Sequence, residues 1–137
     1  MDSNRPFLED ALNLERHIKI LETPFSQVCL ILGLEPQEPK EVIEIENTIF
    51  MFDPEQGHLF SGAVVLDNTY GFFGIKIGAN WLETAENLES QGFIQAQDTE
   101  RFTKPGDNFG TSVYLYLDSD ESKVQHYSVC IRYGCEP

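Results

Sequence analysis

Basic side chains are scarce in this chain. Lys and Arg number 9 against 23 Asp and Glu, a formal net charge of −14 over 137 residues. A field of that sign repels nucleic-acid phosphates and anionic membrane surfaces and steers cationic partners inward; a plain solubilising surface has the same composition. Long apolar runs are missing too. No stretch approaches the ~20 apolar residues of a membrane span. Met1–Glu22 carries Asp2, Glu9, Asp10 and Glu15 where a secretory leader would carry a basic tip and an apolar run. Cysteine is limited to Cys29, Cys130 and Cys135, an odd set without a CxxC pair, which argues against a disulfide framework. Cys29 on a helix face and Cys130 inside a strand are expected to act as small core hydrophobes. These absences predict a cytoplasmic protein with no nucleic-acid and no membrane partner.

What is present suffices for a core. Hydrophobic residues make up 41% of the chain and include ten phenylalanines, so a single domain over residues 1–137 is expected. Its most informative pattern is internal. With Asp53 laid over Asp118, Ile49–Leu66 falls without a gap on Tyr114–Ile131, an offset of 65 residues. Ile49, Phe50, Met51 and Phe52 then match Tyr114, Leu115, Tyr116 and Leu117. An acid-rich turn follows in both copies, and Val64 and Leu66 match Val129 and Ile131. Each hairpin follows a short amphipathic helix closed by glycine: Pro24–Leu32 before Gly33, and Trp81–Gln91 before Gly92. Repeats of this kind set an architecture before any local propensity does, and they divide the chain into units of about 23–68 and 74–133.

Ahead of the first unit, Phe7, Ala11, Leu14, Ile18 and Leu21 form one helical stripe. Thr23 is placed to cap the next helix, with Pro24 in its first position. Leu34–Ile45 reads as a connector rich in Pro and Glu. Ile49–Phe52 and Leu59–Leu66 read as strands, and Phe72–Ile77 as a third. Asn80-Trp81-Leu82-Glu83 has the form of a capping box. Phe93–Gln97 starts another strand, Thr99–Thr111 is a polar loop, and Val113–Leu117 with Val124–Tyr133 make the last hairpin. The expected class is α+β: an antiparallel sheet of about six strands with helices on one face and the other face partly open, built from two helix–hairpin repeats plus an N-terminal helix.

Gly74–Phe93 (GIKIGANWLETAENLESQGF) resembles the entry phrase of tandem helix–hairpin modules of the beta-lactamase inhibitor protein-like type. The match consists of Ile77-Gly78 ending a strand, the capped helix, Leu88, and the Gly92 stop. The first unit departs from it, since Leu21-Glu22-Thr23 stands in place of Ile-Gly and a long helix comes first. The resemblance implies a non-catalytic fold used to grip another protein, and no binding residue is carried over from it.

The residues themselves offer little chemistry. His17, His58 and His126 sit in no catalytic phrase, and nucleophilic catalysis needs Ser or Cys beside a positioned base. Asp118-Ser119-Asp120-Glu121 opens like a calcium loop but lacks the glycine at the sixth place and the distal Glu, where Lys123 and Val129 stand. A turn carboxylate bonding its own backbone explains Asp118 better. His126, Cys130 and Cys135 have no second closely spaced pair for zinc. Gly71–Gly78 has glycines at the wrong spacing for a phosphate cradle. No cofactor and no metal are therefore expected, and an enzyme is not.

Two features remain as contact surfaces. Glu35, Glu38, Glu41 and Glu44 recur every third residue around Pro36 and Pro39, so an extended chain would line carboxylates along one edge. Tyr114, Tyr116 and Tyr127 are candidates to anchor a partner on the open sheet. Solvated acids and half-buried structural tyrosines are the plainer readings. The leading expectation is a non-enzymatic acidic protein-binding module, of immunity- or inhibitor-type, that neutralises a basic protein partner. The alternative is a small-ligand module with a pocket between helix and sheet near Trp81, Phe72 and Phe73.

Overall fold

The computed structural model describes residues 11–97, 100–104 and 111–131. Helix α1 (Phe25–Ile31) precedes strands β1 (Val42–Ile45), β2 (Thr48–Asp53) and β3 (Leu59–Val65). Helix α2 (Trp81–Ser90) precedes β4 (Ile94–Gln95), β5 (Arg101–Thr103), β6 (Ser112–Leu117) and β7 (Val124–Cys130). All seven strands join one antiparallel sheet in the order β1-β2-β3-β7-β6-β5-β4. The protein is thus α+β, with seven strands among the described residues where about six were expected.

Alternation along each strand sorts the side chains onto two faces. On the inner face, Phe50 stands opposite Ala63, Ala63 opposite Val129, Val129 opposite Val113, and Val113 opposite Phe102. All five are buried. The next row runs Thr48, Val65, Tyr127 and Leu115, also buried. Both helices add to this same core. In α1, Phe25, Val28 and Cys29 form the buried stripe, and the Phe25 ring meets Phe52 edge-on with centroids 4.9 Å apart. In α2, Thr84, Ala85 and Leu88 are buried, and the Asn80 side chain accepts hydrogen bonds from the Leu82 and Glu83 amides, as an N-cap does. Each helix stops at a left-handed glycine, Gly33 (φ 75°) and Gly92 (φ 100°). The following amide then reaches back to the last turn, Leu34 N to Cys29 O at 2.8 Å and Phe93 N to Leu88 O at 3.1 Å.

Several sequence expectations change. The Phe7–Leu21 stripe does not continue as a helix: within the described part only Leu14–Arg16 forms a single 3-10 turn, and Phe7 lies outside the described residues. Pro24, not Thr23, occupies the cap position of α1, because the Thr23 hydroxyl is taken up by the Lys19 amide at 2.8 Å. The end of the Leu34–Ile45 connector is strand β1, turned onto β2 by Glu46 and Asn47, both at positive φ. Phe72–Ile77 is not a strand. Phe73 and Gly74 both adopt positive φ, and the loop is held by the Tyr127 hydroxyl on Phe72 N, by Glu15 on Phe73 N and by Gln91 on Phe73 O. Within Thr99–Thr111, Arg101–Thr103 pairs as β5. Arg132 and Tyr133 lie outside the described residues.

The hairpin register also differs from the ungapped alignment. Both hairpins carry a bulge, between Met51 and Phe52 and between Tyr116 and Leu117, which keeps the 65-residue spacing on the first strand. On the second strand Phe52 opposes Phe60 while Leu117 opposes Val124, a spacing of 64. A one-residue slip exchanges sheet faces. Val65 and Val129, not Val64 and Val129, are therefore the matching core residues, and Leu66 is exposed. Spacing 64 recurs in the contacts to each helix entry. Pro24 bridges Leu59 as Asn80 bridges Lys123. Phe25 N bonds His58 O as Trp81 N bonds Ser122 O, and Phe60 N bonds Thr23 O as Val124 N bonds Ala79 O.

Tyr127 links the sheet to the Gly71–Ile75 loop. It is fully buried, and its hydroxyl accepts from Phe72 N at 2.8 Å. Burial pushes its phenol far above the ordinary value, and the nearby Glu15 charge adds to the rise against the Phe72 bond. A group whose folded pKa is raised stabilises below its unfolded pKa and loses that contribution as pH climbs. Stability should therefore fall above pH ~10, by up to ~1.4 kcal/mol per pH unit for this one proton. Tyr127→Phe should flatten that alkaline limb in urea melts while costing ~1–3 kcal/mol at neutral pH, because the Phe72 amide stays buried without its acceptor. An alkaline limb unchanged in the variant would show that Tyr127 is not its source.

Candidate functional site: the outer face of the sheet

The face opposite the helices carries the residues of opposite parity. One row runs Glu44, Ile49, Val64, Ser128, Tyr114 and Arg101 across six strands. The next runs Val42, Met51, Gly62, Cys130, Ser112, Thr103 and Ile94. At Gly62, on the β3–β7 seam, the strands leave no room for a side chain, since a Cβ there would lie 2.7 Å from Val129 O. Val42 and Ile94, at the two edges, are strongly exposed at 53% and 62%.

On the β6–β7 side of this face the aromatics form a ladder. The rings of Tyr114 and Tyr116 lie 4.8 Å apart, and Tyr116 stacks on His126 at 4.3 Å with 10° between planes. All three are half-buried. They meet because β6 alternates and Tyr116 lies opposite His126 just before the bulge. His126 is then shared with a shallow groove of about 500 Å³ lined also by Leu66, Ile77, Gly78, Asp118, Lys123 and Gln125. Desolvation under this cover lowers the imidazole pKa below its ordinary 6.5. The folded state thus favours neutral His126, and its contribution is lost as pH falls below that value. Following the imidazole signals by NMR should give a midpoint under 6.5, and Tyr116→Ala, by opening the ring face to water, should move it back up. A midpoint indifferent to Tyr116 would show that the stack does not shield the ring.

Asp118 performs the turn role expected of it. Its carboxylate accepts from the Ser122 and Lys123 amides, and the Ser122 bond foremost holds its pKa below the usual range. Asp53 accepts from Glu55 N in the matching turn. Among the described residues, no group of three or more His, Cys, Asp or Glu is placed to hold a metal ion.

The expected site residues separate into three places. Tyr114 and Tyr116 lie together on the outer face. Tyr127 does not join them; it points into the core. Phe72 and Phe73 are core residues too, Phe72 stacked on Phe60 and Phe73 packed against Phe93. Trp81 is half-buried against the core cluster and does not line the groove. Glu35, Glu38, Glu41 and Glu44 are exposed and lie on or before β1, four strand spacings from β6, or about 19 Å. Acids and tyrosines are therefore not one patch. Sequence reasoning missed His126 as part of the ladder because its face depends on the bulge at Gln125. Cys130 is disulfide-bonded, contrary to its expected role as a simple core thiol. Cys29 is free, and Cys135 lies outside the described residues.

Fold and face together define an α+β protein whose antiparallel sheet is covered by helices on one side and presents an aromatic ladder on the other. In comparisons with known proteins, no family model, curated protein or solved structure matches this chain. Among the described residues, no helix is long and apolar enough to cross a membrane.

Proposed function

We propose that this chain is a non-enzymatic protein-binding module, built from a duplicated helix–hairpin unit, that seats a basic protein partner on its outer sheet face. The observation that carries the reading is the Tyr114–Tyr116–His126 ladder standing half-buried on a sheet face in a protein of net charge −14. Aromatic rings of this kind give large rigid contact area at low entropic cost and recur as binding anchors. The acidic field accelerates encounter with a cation, and the anchors slow its release. This is how an inhibitor- or immunity-type protein would act.

Support for duplication is the recurrence of the bulge, helix-entry bonds and bridge at matching places in both halves. The antiparallel seam is consistent with a two-fold relation. Val64 lies opposite Ser128, its counterpart at spacing 64, so an axis through that pair would exchange the halves. The disulfide at Cys130 favours an oxidising compartment over the cytoplasm expected from the sequence.

Capture of a basic protein by immobilised chain at low ionic strength, weakened by salt, is the expected result. The captured protein should be released by Tyr114→Ala with Tyr116→Ala. If the double variant retains it equally well, binding on this face is excluded.

A further inference from the structure

The free edge of β1 offers a second recognition element for the same kind of partner. In an antiparallel pair, alternate residues exchange hydrogen bonds with the neighbour, and those between turn their N–H and C=O away from it. Phe52 N bonds Glu41 O at 2.8 Å, and Glu41 stands one step outside the Ile43–Phe50 and Ile45–Thr48 partners. Glu41, Ile43 and Ile45 are thus the residues committed to β2. Val42 and Glu44 turn their backbone groups outward, and among the described residues β1 is an end strand of the sheet.

Exposed edges invite pairing with another chain, and charge decides which. Glu41, Glu44 and Glu46 are exposed along this edge, with Glu35 and Glu38 leading into it. Lys40 is the one cation between Glu35 and Asn47, and its ammonium is engaged by the Gln37 side chain at 2.7 Å. A second copy of this chain pairing edge to edge would bring two strips of exposed carboxylates together, and like charges repel. An extended segment bearing Lys or Arg at alternate positions would instead place a cation opposite Glu44. Its main chain would complete the bonds of Val42 and Glu44, and its apolar residues, of the opposite parity, would lie beside Ile43 and Ile45 on the other face.

We infer that β1 accepts an extended basic peptide segment as an eighth strand, through the outward N–H and C=O groups of Val42 and Glu44 and the carboxylates beside them. Strand addition of this type draws affinity from main-chain bonds and specificity from alternate side chains. The inference rests on the proposed basic partner but uses a different surface from the tyrosine ladder, so the two can fail separately.

The test uses the full chain and a synthetic eight-residue peptide of alternating Lys and Val. It is compared with the same peptide N-methylated at alternate amides and with a Glu-Val counterpart. Binding of the Lys-Val peptide should slow hydrogen exchange at the Val42 and Glu44 amides at least tenfold. N-methylation should weaken binding at least tenfold, and the Glu-Val peptide should not bind. Glu44→Pro removes an outward donor without removing a bond to β2, so it should abolish the effect while circular dichroism stays unchanged. Glu44→Gln keeps the donor and should weaken binding only modestly, which guards against a proline variant that misfolds. Equal binding of the methylated peptide, or Val42 and Glu44 exchange untouched by saturating Lys-Val peptide, would overturn strand addition and leave charge attraction alone. Loss of partner capture in Tyr114→Ala with Tyr116→Ala, combined with indifference to Glu44→Pro, would keep the sheet-face reading and discard this one.

Discussion

Phe60→Ala should destabilise the protein by ~3–5 kcal/mol, the usual cost of deleting a buried phenyl ring. Phe60 is completely buried. Its ring sits 6.3 Å from Phe50, 6.1 Å from Phe52 and 5.9 Å from Phe72, the last nearly parallel. Three partners on one strand and a loop cannot all move into the space at once, so little of the cavity would close. Domains of this size hold only ~5–15 kcal/mol in total, and the variant should melt on the order of 10–20 °C lower. Val124 occupies the matching place in the other hairpin and is buried as well. Val124→Ala removes two methyl groups instead of a ring and should cost markedly less. Urea unfolding of both variants checks the comparison. Equal losses would mean that ring packing around Phe60 adds nothing beyond ordinary burial.

The second large effect is on binding. Replacing Tyr114 and Tyr116 together by alanine should weaken the captured partner by ~2–4 kcal/mol, a factor of roughly 30 to 1000. The same substitution should change folding stability far less than Phe60→Ala, because both tyrosines stand half-buried on the outer face. Charge variants should behave differently. Glu83→Gln with Glu86→Gln, on the exposed side of α2, should reduce the association rate and its salt dependence while barely altering dissociation. Calorimetry gives the affinity and stopped-flow mixing separates the rates. A double tyrosine variant with native affinity would remove the ladder from the interface, whatever the charge variants do.

Much of this architecture could be read from the chain, and the failures have local causes. The two hairpins were legible because short apolar runs flank an acid-rich turn in both, and the pattern recurs along the chain. The slip to 64 was not. Its cause is a turn one residue shorter, 118–123 against 53–59, hidden in segments where one acid looks like another. Strand β1 was missed because a Pro- and Glu-rich lead-in conceals four residues. The Glu46-Asn47 pair at positive φ is the signal that could have found it, since two-residue hairpins favour Asn there. Phe72–Ile77 looked like a strand because it is a short apolar run. Its backbone is instead fixed by Tyr127, Glu15 and Gln91, partners 18 to 58 residues away, which no local window contains. The same distance explains Tyr127. Its inward direction follows from the displaced bulge, and an ungapped alignment turns it out to solvent.

The four residue pairs between β3 and β7 are the only strand pairing through which the two halves of the described sheet meet. Peripheral strands can fray from either side without disturbing those pairs. Leu66 N bonds Asn47 O, so by alternation Val64 is committed to β2. The amides that bond across the seam are those of the Ala63–Val129 pair, which should accordingly trade with solvent only when the entire molecule comes apart. A solvent-exchange rate read at that central pair would therefore report global unfolding, and at the outlying strands local opening, from a single spectrum series.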